Sequence, residues 1–468
     1  MRRARSFAPL VVGLVLSTAG LFTLLQPTAG GHDGGMPRWW DPPKDVRAQL
    51  ADVSARRLER YDRALVGFGT RHTLSVQDDP SRGIGAARDY IRDQFERIAQ
   101  TAGGRMTVEL DSFIQPPASR VPVPTRITNV VATLHGTDPT SADRVYIVGG
   151  HYDSRVTDVM NATSDAPGAN DDASGTSAVI ELARVLAKRP TEATIKFVAY
   201  AGEEQGLYGS NHLAQVAKDE GWNIQGVLNM DIIGSPVGGN GVRSPHTIRL
   251  FSEGVPTAET AAETARRQSI GGENDGVSRQ LARYVQETGE NKATDMDVKL
   301  VWRRDRFLRG GDQLSFLQRA WPGVRFTEPN EDFDHQHQDL RIENGEQIGD
   351  LPQFVDFPYL ARVTRVVGSS LAALARSPRA PANARIISAN LTYDTELRWN
   401  ANPEADIVGY EIVWRDSTEA LWTNARRFGN VTSATIKNLN KDDNQVGVRA
   451  IDRDGNRSPV AYPIPAAQ

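Results

Sequence analysis

The sequence contains no cysteine. Disulfides, thiolate nucleophiles and Cys-ligated zinc are therefore excluded, and any metal has to be held by His, Asp or Glu. Excess basic charge is also lacking. Lys and Arg number 54 against 58 Asp and Glu, a formal net charge of −4, so no global positive field points to nucleic acid. Long apolar runs are absent except for one, from Phe7 to Leu25. What is present is the ordinary balance of a globular chain, 39% apolar and 24% charged over 468 residues. That length allows two to four domains and a sizeable core.

The single apolar run follows Arg2, Arg3 and Arg5 and ends in small residues near Ala29. This is the pattern of an export signal over residues 1–29 and places the mature protein outside the cytoplasm, secreted or periplasmic. The run is also borderline for a membrane span, so an uncleaved signal would serve as an N-terminal anchor. Residues 30–44 are rich in Gly and Pro and read as a linker. From residue 45 to 375 strands and helices alternate. Val46 to Val66 has helical spacing, and "GIGAARDYIRDQFERIAQ" sets Ile84, Ala87, Tyr90, Ile91 and Phe95 on one helical face. "MTVELDSFI", "TNVVATLHG", "DRVYIVGGHYDS", "ATIKFVAYAGEEQG" and "GVLNMDIIG" read as strands, the last with Asp231 inside it. The class expected is α/β, a mixed, largely parallel sheet with helices on both faces. Ser235 to Ala320 is polar and Gly-rich and reads as insertions around a site, with Trp302, Phe307, Phe316 and Trp321 either walling a pocket or packed in the core.

Residues 376–384 read as a second linker, and 385–468 as a small all-β sandwich of short alternating strands. Tyr410, Ile412 and Trp414 share one face of a strand, as do Val446, Val448 and Ala450. "LRWNANPEADIVGYEIVWR" and "VRAIDRDGNRSPV" resemble a fibronectin type III module. Such a module would contact wall polymer, matrix or the catalytic part itself. Trp399, Trp414 and Trp422 are either sugar-stacking or core residues.

Chemistry-bearing residues stand at the ends of the apolar strands. They are His151 and Asp153 in "GGHYDS", Asp171 and Asp172 in "GANDDASGTSA", Glu203 and Glu204 in "AGEEQG", and Asp231 in "NMD". A fifth group, "EDFDHQHQDLR", brings His335, His337 and Asp339. Each has a bland reading by itself: a hydrogen-bonded buried histidine, a helix cap, two loop charges. Asp231 is harder to dismiss, because an unpaired carboxylate among apolar residues costs several kcal/mol. In open α/β sheets ligands gather outside the carboxyl ends of strands. Carboxylates and histidines gathered there without a lysine suggest a cation site.

The set H-x-D, N-D-D-x-S-G, G-E-E-x-G, N-M-D and a late His resembles the co-catalytic zinc aminopeptidases, relatives of secreted bacterial leucine aminopeptidases, glutamate carboxypeptidase and glutaminyl cyclase. The resemblance spans about Val46 to Ala375. It implies two zinc ions bridged by Asp171. One would be completed by His151 and Asp231, the other by Glu204 and the late histidine. Glu203 is implied as general base, and Asp153 as the group that orients His151. Asp172 is implied as a supporting or helix-start residue. His335 is favoured as the late ligand because Asp339 follows it by four residues, with His337 as the alternative.

The expected function is a secreted zinc exopeptidase that removes N-terminal residues from peptides or proteins, as a monomer. Two cations sharing a water lower its pKa and polarise the scissile carbonyl, while a carboxylate that is not a ligand carries the proton. A glutaminyl-cyclase-like acyltransferase and an inactive binding protein on the same fold are the alternatives. The ligand types also suit cobalt or manganese.

Overall fold

The computed structural model describes residues 40–389 and 391–466. The expected export signal and most of the first linker lie outside them. Two helices open the described chain, α1 (Lys44–Ala51) and α2 (Ala55–Val66). The single helical stretch expected there is broken because Ser54 caps α2, its hydroxyl accepting the Arg57 N–H. α3 (Gly83–Thr101) follows, burying Ile84, Ala87, Ile91 and Phe95 as its spacing requires. Next come β1 (Met106–Gln115), β2 (Thr125–Leu134) and β3 (Arg144–His151). Then α4 (Ser174–Leu186), β4 (Thr194–Tyr200), α5 (Tyr208–Asp219) and β5 (Asn223–Met230) complete the first half.

The second half adds β6 (Thr247–Ser252), α6 (Ala261–Ser269), α7 (Val277–Gly289), β7 (Asp297–Val301), α8 (Gln313–Leu317) and β8 (Gly323–Thr327). A short hairpin, β9 (Arg341–Glu343) with β10 (Glu346–Ile348), precedes the long α9 (Phe357–Arg376). One eight-stranded sheet runs in the order β1-β2-β4-β3-β5-β8-β6-β7. Its four central strands, β4, β3, β5 and β8, are parallel. Every residue of β3 is buried, as a strand covered on both faces requires. The parallel strands all end at one edge, after Tyr200, His151, Met230 and Thr327.

Two expectations are corrected here. β5 ends at Met230, so Asp231 stands just past the strand and not within it; the backbone turns there, with Ile232 at φ 59°. The segment Ser235–Ala320 is not only insertion. It supplies β6 and β7 to the main sheet, together with the buried helix α7.

The C-terminal part forms two small sheets. One pairs β11 (Arg385–Ile387), β12 (Thr395–Arg398), β15 (Ser433–Ile436) and β17 (Ile464–Pro465). The other pairs β13 (Ile407–Asp416), β14 (Asn424–Phe428) and β16 (Asn444–Asp452). Leu397, Tyr410, Ile412, Val446, Val448 and Ala450 share the core between them. Trp399 is buried in that core, and the Trp422 ring lies against Arg283 and Arg415 with its N–H on Gln280 Oε1 at 3.2 Å. Neither indole is available for a sugar.

Candidate active site

The ends of the parallel strands deliver the expected residues to one place. His151 is the last residue of β3 and is fully buried. Its Nδ1 lies 3.1 Å from the Asp153 backbone oxygen, which makes Nδ1 the donor and leaves Nε2 as a lone pair. Nε2 faces Asp171 Oδ1 at 3.1 Å and Asp231 Oδ1 at 4.0 Å. The Asp153 carboxylate stands farther off, 3.6 Å from Nδ1. It accepts instead from the backbone N–H of Glu203 (3.3 Å) and Glu204 (3.1 Å) and from the Thr73 hydroxyl (2.9 Å). Asp153 thus orients His151 through its main chain and the two glutamates through its side chain. Burial pushes its carboxyl up, but His151 and these donors hold it below the ordinary range.

Asp171 and Asp172 occupy the turn into α4, joined by a cis peptide bond. Asp350 fixes this turn from behind, accepting the N–H of Asn170 at 2.7 Å and of Asp171 at 2.8 Å. Asp172 accepts from the N–H groups of His151, Gly175 and Ile232, tying β3, α4 and the end of β5 together. Gly150 and Gly175 allow this approach: a Cβ on Gly175 would lie 2.4 Å from both Asp172 Oδ2 and the Met230 oxygen.

The two oxygens of Asp171 face different histidines. Oδ1 faces His151, and Oδ2 lies 2.8 Å from His337 Nε2. Glu204 Oε1 is 2.9 Å from the same His337 nitrogen. The late histidine at the cluster is therefore His337. His335, favoured from the Asp339 spacing, is elsewhere: its ring stacks on Phe354 at 3.5 Å, and its nitrogens meet Asp332 Oδ2 and the Gln347 oxygen. The reason is local. His335 ends a 3-10 turn capped by Asp332, whereas His337 takes φ 53°, a conformation that reorients the chain at that residue.

Glu203 is half-buried and turns toward the cavity, grouped with His151 and Glu204. Burial and the neighbouring Glu204 and Asp231 push its carboxyl well above the usual range, against the pull of His151. The same environment acts oppositely on Asp171, whose histidine partners outweigh burial and hold it well below that range.

These residues fit cations. His151 Nε2 is a buried nitrogen with no hydrogen-bond partner among the described residues, and its neighbours are carboxylate oxygens that can only accept. His151, Asp171 and Asp231 form one group with ligand atoms within 4.8 Å of one another; Asp171, Glu204 and His337 form a second. Asp171 belongs to both. Oxygen and imidazole donors of this kind suit zinc when Cys is absent.

Sequence reasoning missed the arginines. Arg155 donates to Glu204 Oε2 at 3.0 Å and lies 2.7 Å from His337 Nδ1. For His337 Nε2 to take a cation, its ring proton has to sit on Nδ1, so Arg155 has to release that nitrogen. Fully buried Arg325 pairs with Asp231 at 2.7 Å and with Asp305 at 3.3 Å. The cavity over the cluster has a volume of about 710 Å3, and its wall includes Arg303, Arg304, Arg306 and Arg309. Of the four aromatics considered for that wall, only Phe307 lines it; Phe316 is core, and Trp321 packs against it. The signal was available in "RRDRFLR" at 303–309, but a run of arginines at a polar position reads first as a solvated face.

Comparisons with known proteins give the family. The model of peptidase family M28 matches residues 129–346, which hold every residue of the cluster. A probable zinc metalloprotease of Leptosphaeria maculans is 50% identical over 424 residues, 91% of this chain and 98% of the relative. Another, from Pyricularia oryzae, is 50% identical over 431 residues, 91% of this chain and 85% of its own. Among solved structures, LapB from Legionella pneumophila has a similar fold, with a TM-score of 0.50 and 17% identity, over 73% of this chain and 77% of its own. With relatives half identical over nine-tenths of its length, the chain belongs to peptidase family M28.

Proposed function

We propose that this zinc peptidase is an aminopeptidase acting at a two-ion site, outside the cytoplasm. The observation that carries the reading is Asp171: a single carboxylate turns one oxygen to each of two histidine-carboxylate groups, while Glu203 stands beside them, near His151 and Glu204 and lining the cavity. His151, Asp231 and Asp171 would hold one ion, and Glu204, His337 and Asp171 the other. Bound there, zinc would lower the pKa of a water and polarise the scissile carbonyl.

The protein's own residues do the remaining work. Glu203 takes the proton of the attacking water and passes it to the leaving amine. Asp153 fixes where Glu203 stands by holding the backbone N–H groups of both glutamates. Asp350 fixes Asp171 in the same way. A free α-amino group would be held beside the ions near Glu203, the cavity-lining carboxylate not assigned to either of them, which favours hydrolysis at the N-terminus. Arg2, Arg3, Arg5 and the apolar run after them support an extracellular site of action.

The test is mass spectrometry of peptides incubated with the purified chain, with and without chelator. Stepwise, chelator-sensitive loss of N-terminal residues from free-amine peptides, but not from N-acetylated ones, is the expected result. Internal cleavage of acetylated peptides would replace the exopeptidase reading. Loss of ammonia from an N-terminal Gln peptide alone would replace it with cyclisation.

A further inference from the structure

The cavity over the cluster is polarised. Its floor is the carboxylate and histidine set, and its wall is basic. Arg120, Arg155, Arg303, Arg304, Arg306 and Arg309 all line it, and the one lining carboxylate outside the floor, Asp305, already pairs with Arg306 and Arg325.

The wall arginines fall into two sets. Arg306 and Arg309 share one partner, Glu331, with Arg249, so one carboxylate serves three guanidinium groups. Arg120, Arg303 and Arg304 contact no carboxylate among the described residues. Arg120 donates to the Glu204 backbone oxygen at 3.0 Å, beside the cluster. Arg303 lies 3.8 Å over the Phe307 ring, and Arg304 reaches the Thr257 hydroxyl at 3.5 Å, with Glu253, which that hydroxyl donates to, near enough to feel its charge. Gathering like charges around one cavity opposes folding unless something neutralises them. Guanidinium forks match carboxylates in geometry as well as charge. The segment that carries four of them, between β7 and α8, also exposes Phe307 and Leu308 at 78% and 105%, so an apolar surface stands beside the charges.

We propose that this wall selects peptides carrying a carboxylate close to the scissile bond, with Arg120, Arg303 and Arg304 as the residues that read it. The carboxylate is either the side chain of an N-terminal Glu or Asp, or the free C-terminus of a dipeptide. The inference rests on the aminopeptidase reading above and deepens it. A substrate of this kind matches both ends of the cavity, its α-amino group beside the ion site near Glu203 and its carboxylate at the basic wall. Leu207, Ile232, Phe307, Leu308 and Leu314 also line the cavity and can pack against the apolar part of such a substrate, while the guanidinium groups take its charge.

Four substrates separate the possibilities on the zinc-loaded full-length chain: Glu-Ala-amide, Gln-Ala-amide, Leu-Ala-amide and Leu-Ala with a free carboxylate. Expected is a kcat/KM ratio of about tenfold or more for an anionic substrate over its neutral partner, falling with added salt. Glu over Gln assigns the side chain, and Leu-Ala over its amide assigns the terminus. In the Arg303→Gln, Arg304→Gln double variant and in Arg120→Gln that ratio collapses toward one. Equal or faster hydrolysis of both neutral partners, or a ratio the variants leave intact, overturns the proposal. Calorimetric titration of Glu-Ala-amide, Gln-Ala-amide, Leu-Ala and Leu-Ala-amide into the zinc-loaded Glu203→Gln protein is the second measurement. If no peptide is hydrolysed, the peptidase reading falls. The wall still stands on this titration if an anionic peptide binds more tightly than its neutral partner and the arginine variants abolish the difference, and it falls if they bind alike.

Discussion

Glu203 and Glu204 are neighbours in sequence with opposed surroundings. Glu204 shares the His337 nitrogen with Asp171 and accepts from Arg155, while Glu203 faces the cavity with burial driving its proton affinity up. Glu203→Gln is therefore expected to keep its zinc, measured by inductively coupled plasma mass spectrometry, and to lose turnover about 100- to 10,000-fold. Retained turnover would remove Glu203 from the base role. The late histidines separate by the same assay. His337→Ala is expected to lose about half the bound metal or more, since it deletes one of three ligands of one group. His335→Ala keeps its metal and costs only about 1 kcal/mol, the hydrogen bonds to Asp332 and Gln347 being its role. These residues also mark how far the sequence could be read. The strand-end groups could be located because each ends an apolar run, which is a local signal. The choice between His335 and His337 depends on a backbone turn at one residue, and Arg155 and Arg325 reach the site from outside any motif. Neither leaves a periodicity to detect.

At the scale of elements, the site depends on close approach between β3, α4 and the end of β5. Asp172 holds them by three backbone N–H groups, and Gly175 lets α4 come near enough. Gly175→Ala would press a methyl group against the Met230 oxygen and Asp172 at 2.4 Å. Neither can yield, since one is backbone and the other is bonded three ways. The expected cost is about 1–3 kcal/mol, read as a lower midpoint in urea, with reduced zinc retention because Asp171 adjoins the displaced residue. A midpoint equal to the parent's would show that α4 shifts freely. The strands that build this junction were legible as apolar runs, β3 above all. Helix α7 was not. Leu281, Tyr284 and Val285 do recur at helical spacing, but Arg279, Gln280 and Arg283 are buried as well, so the face that reads as solvated is covered. Those polar residues are buried because of what lies beyond the helix, and a local pattern carries no trace of it.

What lies beyond is the pair of C-terminal sheets, and at the scale of the whole molecule they are joined to the α/β part by buried charge. Glu192 shows one side of this junction. Burial, with Asp406 and Asp452 of the C-terminal part nearby, raises its carboxyl to about 7 against the pull of Arg144. Its folded pKa thus lies above the unfolded one, so its contribution is fully present below about pH 4 and is lost as pH rises toward 7. Glu192→Gln is expected to raise Tm at pH 8 and leave it unchanged at pH 4; the reverse order would place Glu192 in an ion pair. The other side of the junction is Asp275, just before α7. It accepts two bonds from Arg415 of β13, at 2.7 and 2.8 Å, and one from Arg283 of α7 at 3.2 Å. Arg415 and Asp275 are 1% and 3% exposed, so neither charge can fall back on water. Burial already lowers Arg283 to about 10. Asp275→Ala would leave two buried guanidinium groups facing each other. The cost expected is about 3–5 kcal/mol, most of it the stranded charge and not the lost bond. Replacing Arg415 as well, in Asp275→Ala with Arg415→Met, removes one of those charges and leaves the thioether to fill the space. That double variant is expected to recover more than half the loss in urea denaturation. If the two substitutions simply add, the pair does not join the C-terminal sheets to α7, and the Trp422 ring under Arg283 with its N–H on Gln280 carries that attachment instead.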